Sequence, residues 1–525
     1  MTVDELGPAL LVASAVLLVA VVAVRLSART GLPSLLLYLG LGLVLGERGL
    51  GVTFDDARLT GVLGYAALVV ILAEGGLTTR WDGIRPSVAP AAVLATVGTM
   101  VSVAVTAVAA RWVLGVPWVT ALLVGAVVSS TDAAAVFAVL RTVPLPGRLT
   151  GMLEAESGFN DAPAVILVVA LVAQATGARA HSGWLLLGEA VFELAVGAAV
   201  GLACGFAGAR LLRGVALPSS GLYPIAVLGL AGAAFGAADV LHGSGFLATY
   251  LAALVLGNTR LPHGAAVRGF AEGMGWLAQI GLFVLLGLLA DPARLLGRFL
   301  PGVIVALAVV LLARPLAVLV SVTWFGVSWR EQAFLSWAGL RGAVPIVLAT
   351  IPLAEGVPDA TRIFDLVFVL VVVLTLVQGP TLPWAARRLR LAGSVTTVGL
   401  DVESSPLGAL DADVLTVRIG PESALHGVEL FELRLPEHAN VTLVVREGEP
   451  FVPTPRSALR HGDELIVVTA AAARDEAERR LREVSAGGKL AGWRPSRSAR
   501  RPRPPRSPRV ARVTRLTRLP RTTRD

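Results

Sequence analysis

The sequence predicts a polytopic α-helical membrane protein that carries a small α+β domain near its carboxyl end. Apolar residues make up 55% of the 525-residue chain and charged residues 16%, whereas soluble domains average about 45–50% and about 25%. The mean hydropathy is +0.74. From about residue 400 onwards, short alternating runs replace the long apolar segments. Most of the chain is therefore expected to lie in a bilayer.

Thirteen apolar runs are candidates for membrane-spanning helices, since crossing about 30 Å of hydrocarbon takes roughly 20 apolar residues. The first run follows Asp4 and Glu5 rather than a positive segment, so we do not expect a removed signal peptide. The membrane domain is predicted to cover residues 1–392. The predicted spans are 7–25, 32–47, 59–77, 87–110, 116–140, 159–177, 184–209, 222–241, 244–258, 270–290, 299–325, 331–353 and 364–385.

The arginines in the connections predict the orientation, because positive charge accumulates in cytoplasmic loops. Fourteen arginines follow the odd-numbered spans and seven follow the even-numbered ones. This bias predicts an amino terminus outside and a carboxyl terminus in the cytoplasm. It also favours an odd number of spans, hence thirteen over twelve.

Residues 400–488 are predicted to form a small cytoplasmic α+β domain. Alternating runs at 414–419, 441–445 and 464–468 indicate strands, and the pattern at 472–484 indicates a closing helix. The following segment, 489–525, is expected to be a basic disordered tail. Twelve arginines against Asp525 give residues 493–525 a charge of +11, so the remainder of the chain carries −3. Such a tail is typical of contact with anionic membrane lipid, not of specific nucleic-acid binding.

Ionisable residues inside membrane spans are costly and therefore mark functional sites. Asp132 ends the run Ser-Ser-Thr-Asp at 129–132, inside the fifth predicted span. Small polar residues at this depth are typical of an unwound segment that lines a cavity, as in the broken helices of transporters. We expect Asp132 to orient such a crossover, and to cap a half-helix, more than to bind an ion directly.

Asp161 is the strongest candidate for a shared proton and cation site. It follows Asn160 at the start of the sixth predicted span. A carboxylate beside an uncharged amide has one titratable charge, so a proton and a dehydrated monovalent cation must compete for it. That competition would by itself give one-for-one exchange. The alternative is that Asn160 and Asp161 only cap the sixth helix.

Two further charged positions need partners within the membrane. Arg341, near the middle of the twelfth span, would be strongly unfavourable if it were buried without a partner. Glu156 is the carboxylate that we predict to form a structural ion pair with it. Glu74 at the end of the third span would either pair with Arg314 or lie in the access path to the site. The single cysteine, Cys204, excludes an intrachain disulfide and a cysteine-based metal site.

Several motifs in order make residues 7–390 resemble the monovalent cation:proton antiporter-1 superfamily, the NhaP-type exchangers. The motifs are Thr-Asp at 131–132, Glu-Ser-Gly-Phe-Asn-Asp at 156–161, Gly-Leu-Arg-Gly-Ala-Val-Pro at 339–345, Glu-Gly-Gly-Leu at 74–77, Gly-Ser-Gly-Phe-Leu-Ala at 243–248, Gly-Asn at 257–258 and Arg-Pro at 314–315.

The resemblance implies thirteen helices with inverted repeats, a core domain with crossed discontinuous helices, and a dimerisation domain. It also implies roles for single residues. Asp161 would bind the cation and the proton, and Asn160 would mark electroneutral exchange. Thr131 and Ser157 would be oxygen ligands, with Asp132 next to the crossover. Glu156 and Arg341 would form the core ion pair. The chain would then be a homodimeric secondary antiporter, not an enzyme.

The carboxyl-terminal domain is similar to the TrkA-C subdomain of potassium-conductance (RCK) regulators. The similarity rests on His-Gly at 426–427, Leu-Arg-Leu-Pro at 433–436 and Gly-Asp-Glu-Leu-Ile-Val-Val at 462–468. Within this family the arrangement is associated with K⁺/H⁺ antiporters, which favours K⁺ over Na⁺ as the substrate. No resident cofactor is expected, although the domain could sense an unidentified small molecule. Its other expected role is a dimerising or folding module without a ligand.

Alternative functions are less well supported by the sequence. A Na⁺/H⁺ antiporter is the first alternative and a regulated potassium channel a more distant one. A channel filter would require a run similar to Thr-Val-Gly-Tyr-Gly, which the sequence lacks. An ATP-driven pump would need a phosphate-binding loop or a phosphorylated aspartate domain, and neither is found. The abundance of arginine over the single Lys489 suggests a GC-rich bacterial gene and hence the inner membrane.

Overall fold

A computed structural model of the chain divides into two units, Met1–Val395 and Thr396–Asp525. The described residues are 3–30, 33–52, 54, 56–132, 135–136, 145–177, 183–259, 261–391, 400–407, 412–420, 423–470 and 472–491. The predicted basic tail therefore lies almost entirely outside the described residues, as do residues 137–140 of the fifth predicted span.

The first unit contains fourteen helices whose bounds the structure describes. They are α1 (Val3–Thr30), α2 (Ser34–Leu45), α3 (Ala57–Thr78), α4 (Trp81–Leu114), α5 (Trp118–Ser129), α6 (Gly147–Ala175), α7 (Gly183–Gly214), α8 (Leu222–Val240), α9 (Gly245–Gly257), α10 (Gly264–Leu289), α11 (Pro292–Phe325), α12 (Trp329–Trp337), α13 (Ala343–Ala354) and α14 (Ala360–Arg388). One π turn interrupts α4 at Leu94–Gly98 and another interrupts α11 at Val309–Ala313.

The described helices confirm the predicted class of helical membrane protein. Eight of them, α3, α4, α6, α7, α8, α10, α11 and α14, are long and apolar enough to cross a membrane. Shorter apolar helices are found in α1, as Leu10–Arg25, and as α2, α5, α9 and α13. The total of thirteen spans stays a prediction, because length and composition identify eight of the described helices as spanning.

The helices of the first unit pack closely together. Helix α9 packs against α3, α7 and α8, and α10 packs against α2 and α3. Helix α5 packs against α4 and α6, α14 packs against α11 and α13, and α13 also packs against α3. The Tyr250 ring of α9 occupies the space beside Gly158 of α6, which leaves no room for a Cβ atom there.

Two interruptions of helices carry the candidate site. Helix α5 ends at Ser129 because short hydroxyl side chains compete with the helical backbone, and Ser130 is already extended. The predicted twelfth span is divided into α12 and α13 by the non-helical residues 338–342, which include Gly339 and Gly342. Pro345 is tolerated because it lies in the first turn of α13, where the backbone N–H lacks a helical partner in any case.

Helix α6 begins much earlier than the sequence predicted. The expected start was residue 159, because Glu154 and Glu156 interrupt the apolar pattern, but the helix begins at Gly147. Asn160 and Asp161 are therefore in the interior of α6. The alternative that they only cap a helix is wrong. Pro163 follows within the same helix and removes the hydrogen bond that its N–H would donate to the carbonyl of Phe159.

The second unit is a five-stranded antiparallel sheet with one long helix. Its strands are β1 (Leu400–Leu407), β2 (Ala412–Ile419), β3 (Ala439–Arg446), β4 (Glu449–Phe451) and β5 (Glu464–Ala470), in the order β1-β2-β5-β3-β4. Helix α15 (Arg474–Gly487) packs Ala477, Leu481 and Val484 into a core with Leu415 and Val467. This result confirms the predicted small α+β fold and adds β1 and β4 to the predicted strands.

One ion pair links Arg446 at the end of β3 to Asp463 in the turn before β5. Arg446 donates to both carboxylate oxygens of the buried Asp463, at 2.9 and 2.7 Å. The backbone N–H of Arg460 also donates to Asp463, at 2.8 Å. The hydrogen bonds that Arg446 donates to Asp463 raise the pKa of its guanidinium above the usual value.

Candidate functional site

The two non-helical segments, residues 130–132 and 338–342, contact each other inside the first unit. The backbone N–H of Asp132 donates to the carbonyl of Leu340 at 2.9 Å. From the second segment, Arg341 Nη1 donates to the carbonyls of Ser129 and Ser130 at 2.6 and 2.5 Å. These carbonyls lie at the carboxyl end of α5, where helical partners are missing and the helix dipole is negative. This contact between residues 130–132 and 338–342, the crossing, is therefore stabilised by the buried guanidinium of Arg341 through backbone carbonyls.

Asp161 lies in α6 directly beside this crossing. It is only 6% exposed, and its Oδ1 accepts a hydrogen bond of 2.5 Å from the Ser130 hydroxyl. No ion pair among the described residues includes Asp161. A buried carboxylate without a cationic partner is unfavourable unless a proton or a cation neutralises it. The environment of Asp161 therefore suits a group that is occupied alternately by one or the other.

The neighbours of Asp161 form a hydrogen-bonded network that extends to the carboxylate of Glu156. Asn160 Nδ2 donates to the Thr131 hydroxyl at 2.6 Å. That hydroxyl in turn donates to Glu156 Oε1 at 3.4 Å. The Ser157 hydroxyl donates to the Thr131 carbonyl at 3.1 Å. The predicted residues Thr131, Ser157 and Asn160 are therefore brought together around the crossing, next to Asp161.

The buried ion pair of the core differs from the predicted one. Glu156 pairs with Arg314, whose Nη1 and Nη2 lie 2.5 and 2.8 Å from the two carboxylate oxygens. Both side chains are buried, and Arg314 Nε also donates to the Leu335 carbonyl at 3.3 Å. Arg314 follows the π turn of α11 directly, and such turns often redirect side chains at functional sites. The predicted pair of Glu156 with Arg341 is wrong.

Arg341 contacts backbone rather than a carboxylate. It is 1% exposed and donates to the two carbonyls at the end of α5. Its own carbonyl accepts a hydrogen bond from Thr375 of α14 at 3.2 Å. The sequence does not show that the end of α5 meets Arg341. Two carbonyls and the negative end of a helix dipole stabilise its guanidinium, as a carboxylate would.

Asp132 supports the crossing by capping. Its Oδ1 accepts a hydrogen bond from the backbone N–H of Ala135 at 3.2 Å. Gly342 lies so close to this carboxylate that a Cβ atom there would overlap it. Asp132 is thus held in the crossing by its own backbone and by a glycine of the opposite segment. This geometry agrees with an orienting role.

Glu74 lies away from Arg314 on α3. It is half-buried, and its side chain lies beside Gly275 of α10, where an added Cβ atom would be 3.1 Å from Glu74 Cγ. Because both carboxylate oxygens of Glu156 hold Arg314, the proposed pair of Glu74 with Arg314 is not formed. Of the two roles predicted for Glu74, a position in the access path to the site remains a proposal.

Sequence reasoning missed Ser130 as a contact of Asp161. Ser130 belongs to the small polar run at 129–132, which is the feature of the sequence that indicates it. With Ser130, the site offers one carboxylate, several hydroxyls and an amide. The described residues contain no group of three His, Cys, Asp or Glu side chains that could hold a metal ion.

Comparisons with known proteins identify the family of the chain. The family model described as "Sodium/hydrogen exchanger, transmembrane" matches residues 15–388, and the TrkA-C domain model matches residues 414–482. The K(+)/H(+) antiporter NhaP of Alkalimonas amylolytica is 36% identical over 472 residues, which cover 89% of this chain and 82% of that protein. The K(+)/H(+) antiporter NhaP2 of Shewanella oneidensis is 36% identical over 475 residues with the same coverage.

A more distant relative and a solved structure complete the comparison. The Na(+)/H(+) antiporter NhaS2 of Synechocystis is 29% identical over 372 residues, or 67% of this chain and 66% of that protein. The structure of the sodium proton antiporter MjNhaP1 from Methanocaldococcus jannaschii at pH 8 has a TM-score of 0.63 at 23% identity. The structural match covers 74% of this chain and 100% of the MjNhaP1 chain. This similarity supports the same fold for the two chains. The chain belongs to the sodium/hydrogen exchanger family of cation/proton antiporters, which are secondary transporters, and carries a TrkA-C domain.

Proposed function

We propose that this antiporter exchanges K⁺ for H⁺, one for one, at Asp161, in the homeostasis of pH, cations and cell volume. The observation that carries this proposal is the burial of Asp161 beside the helix crossing, without an ion pair among the described residues. A lone carboxylate in this position favours neutralisation by a proton or by a cation, and one charge cannot hold both.

The surrounding charges support electroneutral exchange. Glu156 is already neutralised by Arg314, so it does not add a second charge to the site. Asn160 is uncharged and holds the Thr131 hydroxyl. Protonation of Asp161, or binding of one monovalent cation to its carboxylate, would each bring the combined charge of Asp161 and its occupant from −1 to zero. The loaded site is then neutral with either substrate, which gives a stoichiometry of one to one.

The choice of K⁺ rests on the relatives. The two relatives that match 89% of this chain at 36% identity are named K(+)/H(+) antiporters. The named Na(+)/H(+) antiporter is less similar and covers a smaller share of the chain. Na⁺ remains the alternative substrate, because the two ions need the same kinds of ligand. A regulated channel is a weaker alternative, since the sequence lacks a potassium filter motif.

The oligomeric state, the membrane and the orientation of the protein are also part of this proposal. We expect a homodimer in the bacterial inner membrane, with the amino terminus outside and the carboxyl terminus in the cytoplasm, as the arginine bias of the connections favours. The TrkA-C domain would then lie in the cytoplasm, where it could respond to a small molecule. The transported ions remain the substrates in each case, and no resident cofactor is expected.

The direct test is dissipation of a pH gradient in proteoliposomes. Vesicles with an acidic interior receive K⁺ or Na⁺ outside, and the recovery of interior pH is followed for the native chain and for Asp161→Asn. Asp365→Asn is the matched control, because Asp365 is also a buried aspartate of a membrane helix, paired with Arg294 at 3.4 Å and outside the site.

The outcomes separate the components of the proposal. Recovery with the native chain and with Asp365→Asn, but not with Asp161→Asn, supports exchange at Asp161, and the more effective ion is the substrate. Equal recovery with native and Asp161→Asn would refute the site. Absence of a response to either ion between about pH 6 and about pH 9 would refute the exchange.

A further inference from the structure

The Ser130 hydroxyl donates a hydrogen bond to the Asp161 carboxylate. Ser130 is 1% exposed, and its hydroxyl lies 2.5 Å from Asp161 Oδ1. A serine hydroxyl has one proton to donate and two lone pairs to accept with. The proton is donated to Asp161. Among the described residues, no hydrogen bond is donated to the Ser130 hydroxyl, so its lone pairs are free to face a cation held by that carboxylate.

The hydroxyl of Thr131 is engaged on both sides. It accepts from Asn160 at 2.6 Å and donates to Glu156 at 3.4 Å. Turning toward a cation would break its contact with the buried ion pair and release the amide of Asn160. Unpaired buried polar groups are costly, so this network resists such a change. The Thr131 side chain is therefore suited to fix the crossing rather than to bind an ion.

Ser130 is also held in place from the opposite side. Arg341 donates to the Ser130 carbonyl at 2.5 Å and to the Ser129 carbonyl at 2.6 Å. The hydroxyl thus projects from a backbone that is fixed by a buried cation of the other segment. A coordinating side chain that is already fixed in place loses little conformational entropy when the cation binds.

We propose that, within the exchange proposed above, the Ser130 hydroxyl oxygen is a ligand of the transported cation beside Asp161, whereas the Thr131 hydroxyl only fixes the site. A neutral oxygen dipole at this point replaces part of the hydration shell of the ion. The affinity for the cation then depends on Ser130 and the stability of the crossing on Thr131.

The test measures cation binding and transport in the full chain. Thermal unfolding in detergent is followed against K⁺ or Na⁺ concentration at constant ionic strength, with choline chloride as the balancing salt. Exchange in proteoliposomes gives the half-saturating concentration independently. The variants are Ser130→Ala, Ser130→Thr and Thr131→Val. Ser129→Ala is the matched control, because the Ser129 hydroxyl donates to the Ala126 carbonyl of its own helix, at 2.7 Å.

The expected result is a selective loss of cation affinity. Ser130→Ala raises the half-saturating concentration about tenfold in both assays, since the loss of one contact of ordinary strength has this effect. Ser130→Thr, which keeps the hydroxyl, restores the affinity, and Ser129→Ala behaves as native. Thr131→Val lowers the unfolding temperature in the absence of the cation.

Two results would overturn the inference. In the first, Ser130→Ala keeps the native half-saturating concentration while Thr131→Val raises it, which assigns the ligand to Thr131. In the second, Ser130→Ala unfolds earlier without the cation and binds it normally, which leaves Ser130 a structural role. Both results leave the proposed exchange at Asp161 intact. The exchange proposal itself fails only if the native chain does not exchange ions, or if Asp161→Asn exchanges them as well.

Discussion

Arg314 meets Glu156 through two parallel contacts of 2.5 and 2.8 Å between buried side chains. Such bidentate pairs are the strongest arrangement of a guanidinium and a carboxylate. Glu156 is about one and a half helical turns before Asp161 on α6, so Arg314 neutralises the first of these two carboxylates, whereas the second has no ion pair among the described residues. The pair therefore leaves Asp161 as the acidic group of the site that is free to change its occupant.

Removing one member of this pair should destabilise the protein strongly. We expect Glu156→Gln or Arg314→Met to lower the free energy of unfolding by about 3 kcal/mol, because an uncompensated charge stays buried. The double variant Glu156→Leu with Arg314→Met should recover part of this loss. Thermal unfolding in detergent measures the change. The exposed pair of Arg482 with Glu478 is the control, and Arg482→Ala there should cost less than about 0.5 kcal/mol.

A double-mutant cycle distinguishes the observed ion pair from the predicted one. Glu156 and Arg314 should show a coupling energy of about 2 kcal/mol, whereas Glu156 and Arg341 should show much less, because Arg341 binds carbonyls. Arg341→Lys should retain part of the transport and Arg341→Met should abolish it. Equal coupling of Glu156 to the two arginines would contradict this assignment.

Gly342 should tolerate no side chain. An alanine Cβ atom would overlap the Asp132 carboxylate and displace the crossing. We expect Gly342→Ala to reduce exchange by at least about tenfold, since small displacements of a binding geometry have effects of this size. Gly281→Ala is the control, because nothing lies within 4 Å of a Cβ atom added there. Transport at equal protein density is the measurement, and native rates in Gly342→Ala would refute the contact.

The pair of Arg446 and Asp463 should stabilise the second unit. Arg446→Met leaves a buried carboxylate and is expected to cost about 2 kcal/mol, less than a fully buried pair because Arg446 is partly exposed. Hydrogen exchange of the β5 amides in the full chain measures this change. Arg418→Met removes an exposed contact of 3.7 Å with Glu464 and should cost below about 0.5 kcal/mol. Similar losses in the two variants would contradict the assignment.

Much of the architecture could be predicted because it depends on local patterns. Apolar runs indicated the membrane helices, and alternation over 414–419 and 464–468 indicated the strands β2 and β5. The breaks in α5 and between α12 and α13 coincide with small polar residues and glycines. Strand β4 was missed because Glu449–Phe451 is too short for any alternation to be detected.

The pairing of charged residues could not be predicted, since it depends on which helices cross. In the sequence, Arg314 and Arg341 both lie inside predicted spans, and no local pattern shows which of them Glu156 contacts. Only the crossing brings Arg341 against the carbonyls at the end of α5 and Arg314 against Glu156. The start of α6 was missed for the same reason, because the charge of Glu156 is neutralised by a residue 158 positions away.

The most direct test of the central claim is the release of protons when the cation binds. Purified protein in weakly buffered detergent near neutral pH receives K⁺ or Na⁺, and the released protons are counted with a pH indicator. The account predicts release of up to one proton per chain, saturating with the cation, and none from Asp161→Asn. Release that persists in Asp161→Asn, or binding of the cation without any release across the pH range of transport, would contradict a carboxylate shared between the two ions.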